Sequence, residues 1–378
     1  MARLRSTRWL VGFLFAVGLT AIISAQPATA PAEQKLWPMR TIHGVERVDV
    51  RDLAERFGLK AEWTRLGLTM VLKDAHGPRL IFEARQQDIH FDGLRIFLGQ
   101  PVLPDRDSLW VSLLDVIKIV APLLDPKVHA DKLPAGAPKT IVIDPGHGGG
   151  DPGTHNALFR VWEKDMTLDV ALRLRPILEA RGWKVIMIRD KDIELSRDKK
   201  MDLLMRDELA NRSKADVYLS IHFNDATLGV TGIETYALAP QFMLSAGNVQ
   251  GDDMTKVAYP ANHFDLANLF LGEKVHRAMI DGLKSSDRGF KHARWAVLRM
   301  LECPGILVEC GYLSNNSETR LIATPEHRQK IAEALAAGLQ DYATAIASLH
   351  PAPPPPKVPP VLMPPTRPVT APSTRPSR

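Results

Sequence analysis

Four residues of this 378-residue chain have the types and settings that metal-assisted hydrolysis requires. His147 lies in Asp144-Pro145-Gly146-His147-Gly148-Gly149-Gly150-Asp151-Pro152-Gly153, a glycine- and proline-rich loop that follows the β-branched run Ile141 to Ile143. His222 ends a second apolar run, Val217 to Ile221, and Glu309 ends a third, Ile306 to Val308. Glu163 stands in Val161-Trp162-Glu163-Lys164-Asp165, just ahead of a helical pattern and near the His147 loop in sequence. Two imidazoles and one carboxylate with an open fourth position form the donor set of catalytic zinc sites. The same donors suit other divalent metals, and zinc is the expected ion. Such an ion polarises a carbonyl and lowers the pKa of its water to about 7. A second, unligated carboxylate is then needed to take the water's proton and pass it to a leaving nitrogen. Glu309 fits, because a carboxylate on a buried strand has few structural reasons to exist. A turn histidine facing water would be the plainer account of His147 taken alone.

These side chains can meet only if the elements that carry them share an edge. In a mainly parallel sheet the carboxyl ends of the strands do so, and ligands are held there. The order of apolar runs supports such a sheet. After the His147 loop come a helical pattern over Asp165 to Arg181, disturbed by Pro176, and a strand at Lys184 to Ile188. A helix at Asp202 to Lys214, the Val217 strand and a strand at Ile233 to Ala237 follow. Helices at Phe264 to Leu283 and Gln329 to Ile346 flank the Ile306 strand. The expected fold is α/β, with helices on both faces of a mainly parallel sheet over residues 140–349. Ala239 to Asn262 has no helical period and is expected to be a loop with room for a lid over the groove.

A small α+β domain is expected before it, over residues 36–130, with a Pro- and Gly-bearing linker at 131–139. Its helix signals are Val50 to Phe57, closed by Gly58, and Val111 to Val120. Ile89 to Ile96 alternates around Asp92-Gly93, a hairpin signal. Residues 1–25 run from Arg3, Arg5 and Arg8 through an apolar stretch to small residues, the order of a secretory signal. A retained anchor is the alternative, although the apolar stretch is short for a membrane span. Export to the periplasm or cell envelope is expected. From residue 350 to 378 the chain is Pro-rich and is expected to be an extended, disordered tail.

The net charge of +5 comes from the two ends, which together carry seven cations and no acid, so the middle is near neutral. No basic stripe marks a nucleic-acid partner. Cys303 and Cys310 would lie roughly 23 Å apart along a strand, too far to bridge, and are expected as buried thiols.

The second domain resembles the zinc-dependent N-acetylmuramoyl-L-alanine amidases of the type-3 family. The resemblance runs through Ile143 to Gly149, Glu163-Lys164-Asp165, Arg206 with Ala210-Asn211, and Ser220 to Asn224. It continues through Gly232 to Tyr236, Asp287 to Lys291, and Pro304 to Asn315. It implies zinc held by His147, Glu163 and His222, with Glu309 as the catalytic carboxylate. The implied substrate is peptidoglycan, cut between the lactyl group of N-acetylmuramic acid and L-alanine. Departures are Thr154-His155, Phe223 and Cys310; of these, His155 stands close enough in sequence to intrude on the metal, with a solvent-facing loop position as the simpler account. The first domain is similar to the copper-amine-oxidase-like module found on cell-envelope enzymes. His76 and His90 make no ligand cluster there, so a wall-binding or positioning role without metal is expected.

Two other classes fit the same residues: a zinc peptidase cutting within the stem peptide, and a non-catalytic peptidoglycan-binding regulator. The chain is expected to act as a monomer, with an activator protein left open. Glu234 reads as a solvent-facing or paired carboxylate, and Asn224 and Arg299 as either substrate contacts or structural residues.

Overall fold

The computed structural model describes residues 37–246 and 253–350. The expected leader, the expected tail beyond His350 and part of the expected lid loop lie outside the described residues. An eleven-stranded sheet runs through the molecule. One end of it holds, in spatial order, Lys184–Met187, Thr140–Pro145, Val217–Asn224, Gly305–Tyr312, Ile233–Leu238 and Asp287–Ala293. The first four are parallel to one another. Ile233–Leu238 runs antiparallel to Gly305–Tyr312, and Asp287–Ala293 runs parallel to Ile233–Leu238. This is the mainly parallel α/β sheet expected.

Strand alternation divides the core into two layers. Ile141, Ile143, Val217, Leu219, Ile221, Ile306 and Val308 face one cluster, packed with residues of helices Glu163–Ala180, Asp265–Leu283 and Pro325–Leu349. Val142, Tyr218, Tyr236 and Leu307 face the other, with Ala210 of helix Lys199–Arg212 and Val297 and Leu298 of the short helix Ala296–Arg299. A period of two on strands and stripes on the facing helices produce these layers directly. Helix Glu163–Ala180 continues through Pro176 without a break. The carbonyl of Leu172, which loses its partner there, belongs to an exposed residue that water can reach.

The sheet does not end at Asp287–Ala293. Phe290 pairs in parallel with Ile96 of Leu94–Phe97, and four more antiparallel strands follow, out to Lys60–Arg65. Asp92 and Gly93, both at positive φ, turn the hairpin between Asp88–Phe91 and Leu94–Phe97. A separate four-stranded sheet carries helix Val50–Arg56, capped by Asp49. Cys303 and Cys310 are buried free thiols. No helix among the described residues is long and apolar enough to cross a membrane.

Candidate metal centre

Strand register brings the expected site residues to one edge. His222 and Glu309 are direct cross-strand partners, and Glu309 stands opposite Glu234 on its other side. Directly opposed residues share a face. On the far flank the Gly146 amide donates to Ile221 O at 2.9 Å. A Cβ on Gly146 would fall 2.2 Å from Cε1 of His222, so the imidazole occupies space that only glycine leaves open. Gly153, at φ 65°, is similarly tight: its Cβ would lie 2.5 Å from Glu163 Oε2 and 2.7 Å from His147 Cδ2. His147 itself takes the left-handed region, φ 64°, a costly conformation for a side chain-bearing residue that clusters at functional sites.

Glu163 reaches the same place from the other layer, as the first residue of helix Glu163–Ala180. Its Oε1 lies 3.1 Å from His147 Nε2 and 2.9 Å from His222 Nδ1. The two rings are 5.0 Å apart, nearly perpendicular. One donor atom from each of the three residues lies within 4.8 Å of the others. Among the described residues this is the one group of three or more His, Cys, Asp or Glu side chains able to share an ion. A tetrahedral ion with bonds of about 2.1 Å spaces its donors about 3.4 Å apart, so the group fits with small adjustments. The amides of Phe223 and Thr154 also donate to Glu163, at 3.1 and 2.8 Å. Burial would raise this carboxyl, but the hydrogen bonds and charge of the two imidazoles hold it far below the usual carboxylate range.

Asp151, four residues past His147, completes the ring's setting. His147 Nδ1 is 2.9 Å from Asp151 Oδ2. An ionised carboxylate can only accept, so both ring nitrogens face acceptors; with an ion on the Nε2 lone pair, the proton would sit on Nδ1 and be held by Asp151. Burial alone would push His147 down; the carboxylates of Glu163 and Asp151 outweigh it and lift the imidazole above its ordinary value.

Glu309 is half-buried and lines the same cavity of about 300 Å³ as His147 and His222. Its Oε2 is a buried oxygen without a hydrogen-bond partner. Burial, then the charges of Glu163 and Glu234, push its carboxyl well above the usual range, with Lys291 opposing them. A group poised in this way takes up a proton readily.

Two buried networks support these groups, and the sequence named none of their partners beyond offering a paired carboxylate as one reading of Glu234. Below the His147 loop, Arg206 donates to Asp144 Oδ1 at 2.6 Å, to Asp202 Oδ2 at 2.7 Å and to His147 O at 2.9 Å. Tyr218 OH donates to the second Asp144 oxygen. Burial favours protonation of Asp144, but the Arg206 charge outweighs it and keeps the carboxyl low. Beside Glu309, Glu234 is buried and accepts from Lys291 at 2.6 Å, Arg288 at 3.1 Å, Tyr236 at 2.6 Å and Asn224 at 3.0 Å. Of the two readings of Glu234, the paired one holds. Lys291 also lies 5.1 Å from the centre of the Phe97 ring, so the N-terminal strands reach the flank of the site. The available signals were the charge of Asp144 at the end of an apolar strand and the Asp151 spacing within a glycine loop.

The remaining candidates are engaged elsewhere. His155 is exposed and stacks on Trp162, with centroids 4.2 Å apart, outside the His–Glu–His group. Asn224 serves Glu234, and Arg299 donates to Arg294 O at 2.8 Å. His276 is fully buried between Thr235 and Asp287.

The sequence has counterparts among known proteins. The model of the N-acetylmuramoyl-L-alanine amidase family matches residues 141–341. A cell wall amidase of Bacillus anthracis, itself uncharacterized, is 31% identical over 206 residues, 54% of this chain and 35% of that protein. The probable cell wall amidase LytH of Staphylococcus aureus is 34% identical over 209 residues, 55% of this chain and 59% of its own. The chain therefore spans between about a third and three fifths of the length of these curated relatives. Among solved structures, an N-acetylmuramoyl-L-alanine amidase from Clostridium difficile 630 aligns with a TM-score of 0.45 and 30% identity, over 56% of this chain and 99% of that one.

Proposed function

We propose, from the premise that this chain belongs to the N-acetylmuramoyl-L-alanine amidase family, that it is a zinc-dependent hydrolase of peptidoglycan. It cuts the amide between the lactyl group of N-acetylmuramic acid and L-alanine. The observation that carries the reading is the meeting of His147 Nε2, His222 Nδ1 and Glu163 Oε1 beside Glu309, whose Oε2 lacks a partner. When bound there, zinc supplies Lewis acidity toward the amide carbonyl and a water at neutral pH.

The chain's own residues do the rest. His147, Glu163 and His222 hold the ion, and Asp151 fixes the His147 ring so that Nε2 is the donor. Glu309 accepts the proton of the attacking water and returns it to the departing alanine nitrogen. Its raised affinity for a proton suits the first transfer, and the nearby negative charges suit the second less than they suit holding it. Lys291, through Glu234, offsets part of that charge. In this reading residues 1–25 direct export to the envelope, 36–130 position the enzyme, 131–139 link, and 140–349 form the catalytic unit. The work done is cell-wall turnover, remodelling or daughter-cell separation.

The test is product analysis on purified sacculi with the full chain, before and after chelation, alongside metal content. Free lactyl-bearing glycans, one zinc per chain and loss of turnover on chelation are expected. Cleavage inside the stem peptide would replace this reading with a peptidase. Binding to sacculi without any product would replace it with a non-catalytic role.

A further inference from the structure

The cavity that holds His147, His222 and Glu309 is lined by charged and by apolar residues. The charged ones include Asp151, Asp202, Arg206 and Lys199. Arg206 is committed to Asp144, Asp202 and the His147 carbonyl, whereas the Lys199 side chain is 70% exposed, 3.4 Å from Asp151. The apolar ones include Trp295, Ala296, Val297 and Leu307. Val297 and Leu307 are buried, but Trp295, the largest apolar side chain of the cavity, is 46% exposed.

Trp295 is nevertheless held in place. Its backbone is the N-terminal cap of helix Ala296–Arg299, with Leu298 N donating to its carbonyl at 3.1 Å. Its ring meets that of Tyr236 edge to face, with centroids 5.7 Å apart and planes at 88°. Tyr236 is in turn tied to Glu234 by its hydroxyl. An exposed indole anchored in this way offers a flat apolar surface at little entropic cost to a ligand.

Resting on the reading above, the geometry points to Trp295 as a carbohydrate platform, which we propose stacks a pyranose ring of the glycan strand while the amide lies over the metal group. A pyranose has one face of C–H bonds and a rim of hydroxyls. The C–H face matches the electron-rich face of an indole, and the rim remains in water. The charged residues of the lining are then left to the stem peptide.

The experiment compares the full-length wild type with Trp295→Ala and Trp295→Phe on two substrates. One is a disaccharide-peptide; the other is a lactoyl-peptide with the same stem and no sugar. Covering one ring face corresponds to a KM rise of about tenfold for Trp295→Ala on the disaccharide-peptide. No change is expected on the lactoyl-peptide, and Trp295→Phe should restore most of the loss. An equal change on both substrates, or none on the first, overturns the proposal. If the wild type releases no amidase product, calorimetric titration with a peptide-free GlcNAc–MurNAc disaccharide still decides. Binding retained by wild type and Trp295→Phe but lost in Trp295→Ala supports the platform. No binding by wild type, or equal binding by Trp295→Ala, overturns it.

Discussion

Replacing Arg206 by methionine should cost the fold more than any exposed substitution and should loosen the metal centre with it. The side chains of Arg206 and Asp144 are 3% and 1% exposed. Breaking one side of a buried ion pair typically costs about 3–5 kcal/mol, because the surviving charge is left without compensation. Asp144 would keep its Tyr218 hydrogen bond, so the low end, about 3 kcal/mol, is expected for Arg206→Met. Asp144→Asn should cost less, about 2 kcal/mol, because Arg206 keeps Asp202 as a partner. The double variant leaves neither charge stranded at Asp144. Its loss should be about 3 kcal/mol and not the sum of the two, a coupling of about 2 kcal/mol. Urea unfolding of the four proteins at pH 7 measures the cycle. Additivity within about 0.5 kcal/mol would refute the argument that this pair acts as a unit. The same cycle carries a functional readout, since Arg206 anchors the His147 carbonyl. Metal affinity should fall about 10–100-fold in Arg206→Met, the usual effect of losing an outer-sphere support, and much less in Asp144→Asn.

Two further outcomes follow from the buried titratable groups. Glu309→Gln should lower turnover by about 10²–10⁴-fold while zinc content stays at the wild-type level. Its urea midpoint should not fall, because a neutral amide relieves the charges of Glu163 and Glu234 that disfavour the carboxylate; normal turnover or lost zinc would sink the assigned role. His292 is buried, and burial pushes its imidazole down to about 4 from an ordinary value of 6.5. Above pH 6.5 neither state binds its proton and the full stability is present. As pH falls toward 4, the unfolded chain takes up a proton that the folded chain refuses, so stability is lost, about 2 kcal/mol of it by pH 5. Asp115 and Asp207, raised by burial to about 6 and about 7, work in the opposite sense, so the wild type must be compared with His292→Gln. The variant should lose less stability between pH 7.5 and 5 than wild type, by about 2 kcal/mol in urea titrations; parallel pH slopes would show that His292 is not the group responsible.

How far the site could be read from the chain depended on whether a residue breaks a local rule. His222 and Glu309 each end an apolar run with a group that an interior does not tolerate alone, His147 stands in the glycine loop after another, and Glu163 sits beside that loop. A local pattern exposes such residues. The groups that make them tolerable obey local rules and therefore hide. Glu234 falls in the alternation Ile233-Glu234-Thr235-Tyr236, which looks like a strand with one wet face. It becomes the neighbour of Glu309 because Ile233–Leu238 runs against Gly305–Tyr312, which brings the start of one strand to the end of the other. Strand direction leaves no mark on side-chain period, so that neighbour was not legible. The same holds for the junction with the N-terminal strands. Phe290 meets Ile96 across nearly two hundred residues, and Phe97 then packs on Lys291, which grips Glu234. Neither partner carries a signal of the other, yet together they connect the N-terminal strands of this sheet to the carboxylate beside Glu309. A boundary drawn from composition at 131–139 separates stretches of sequence, whereas the sheet that positions Glu234 is continuous across it.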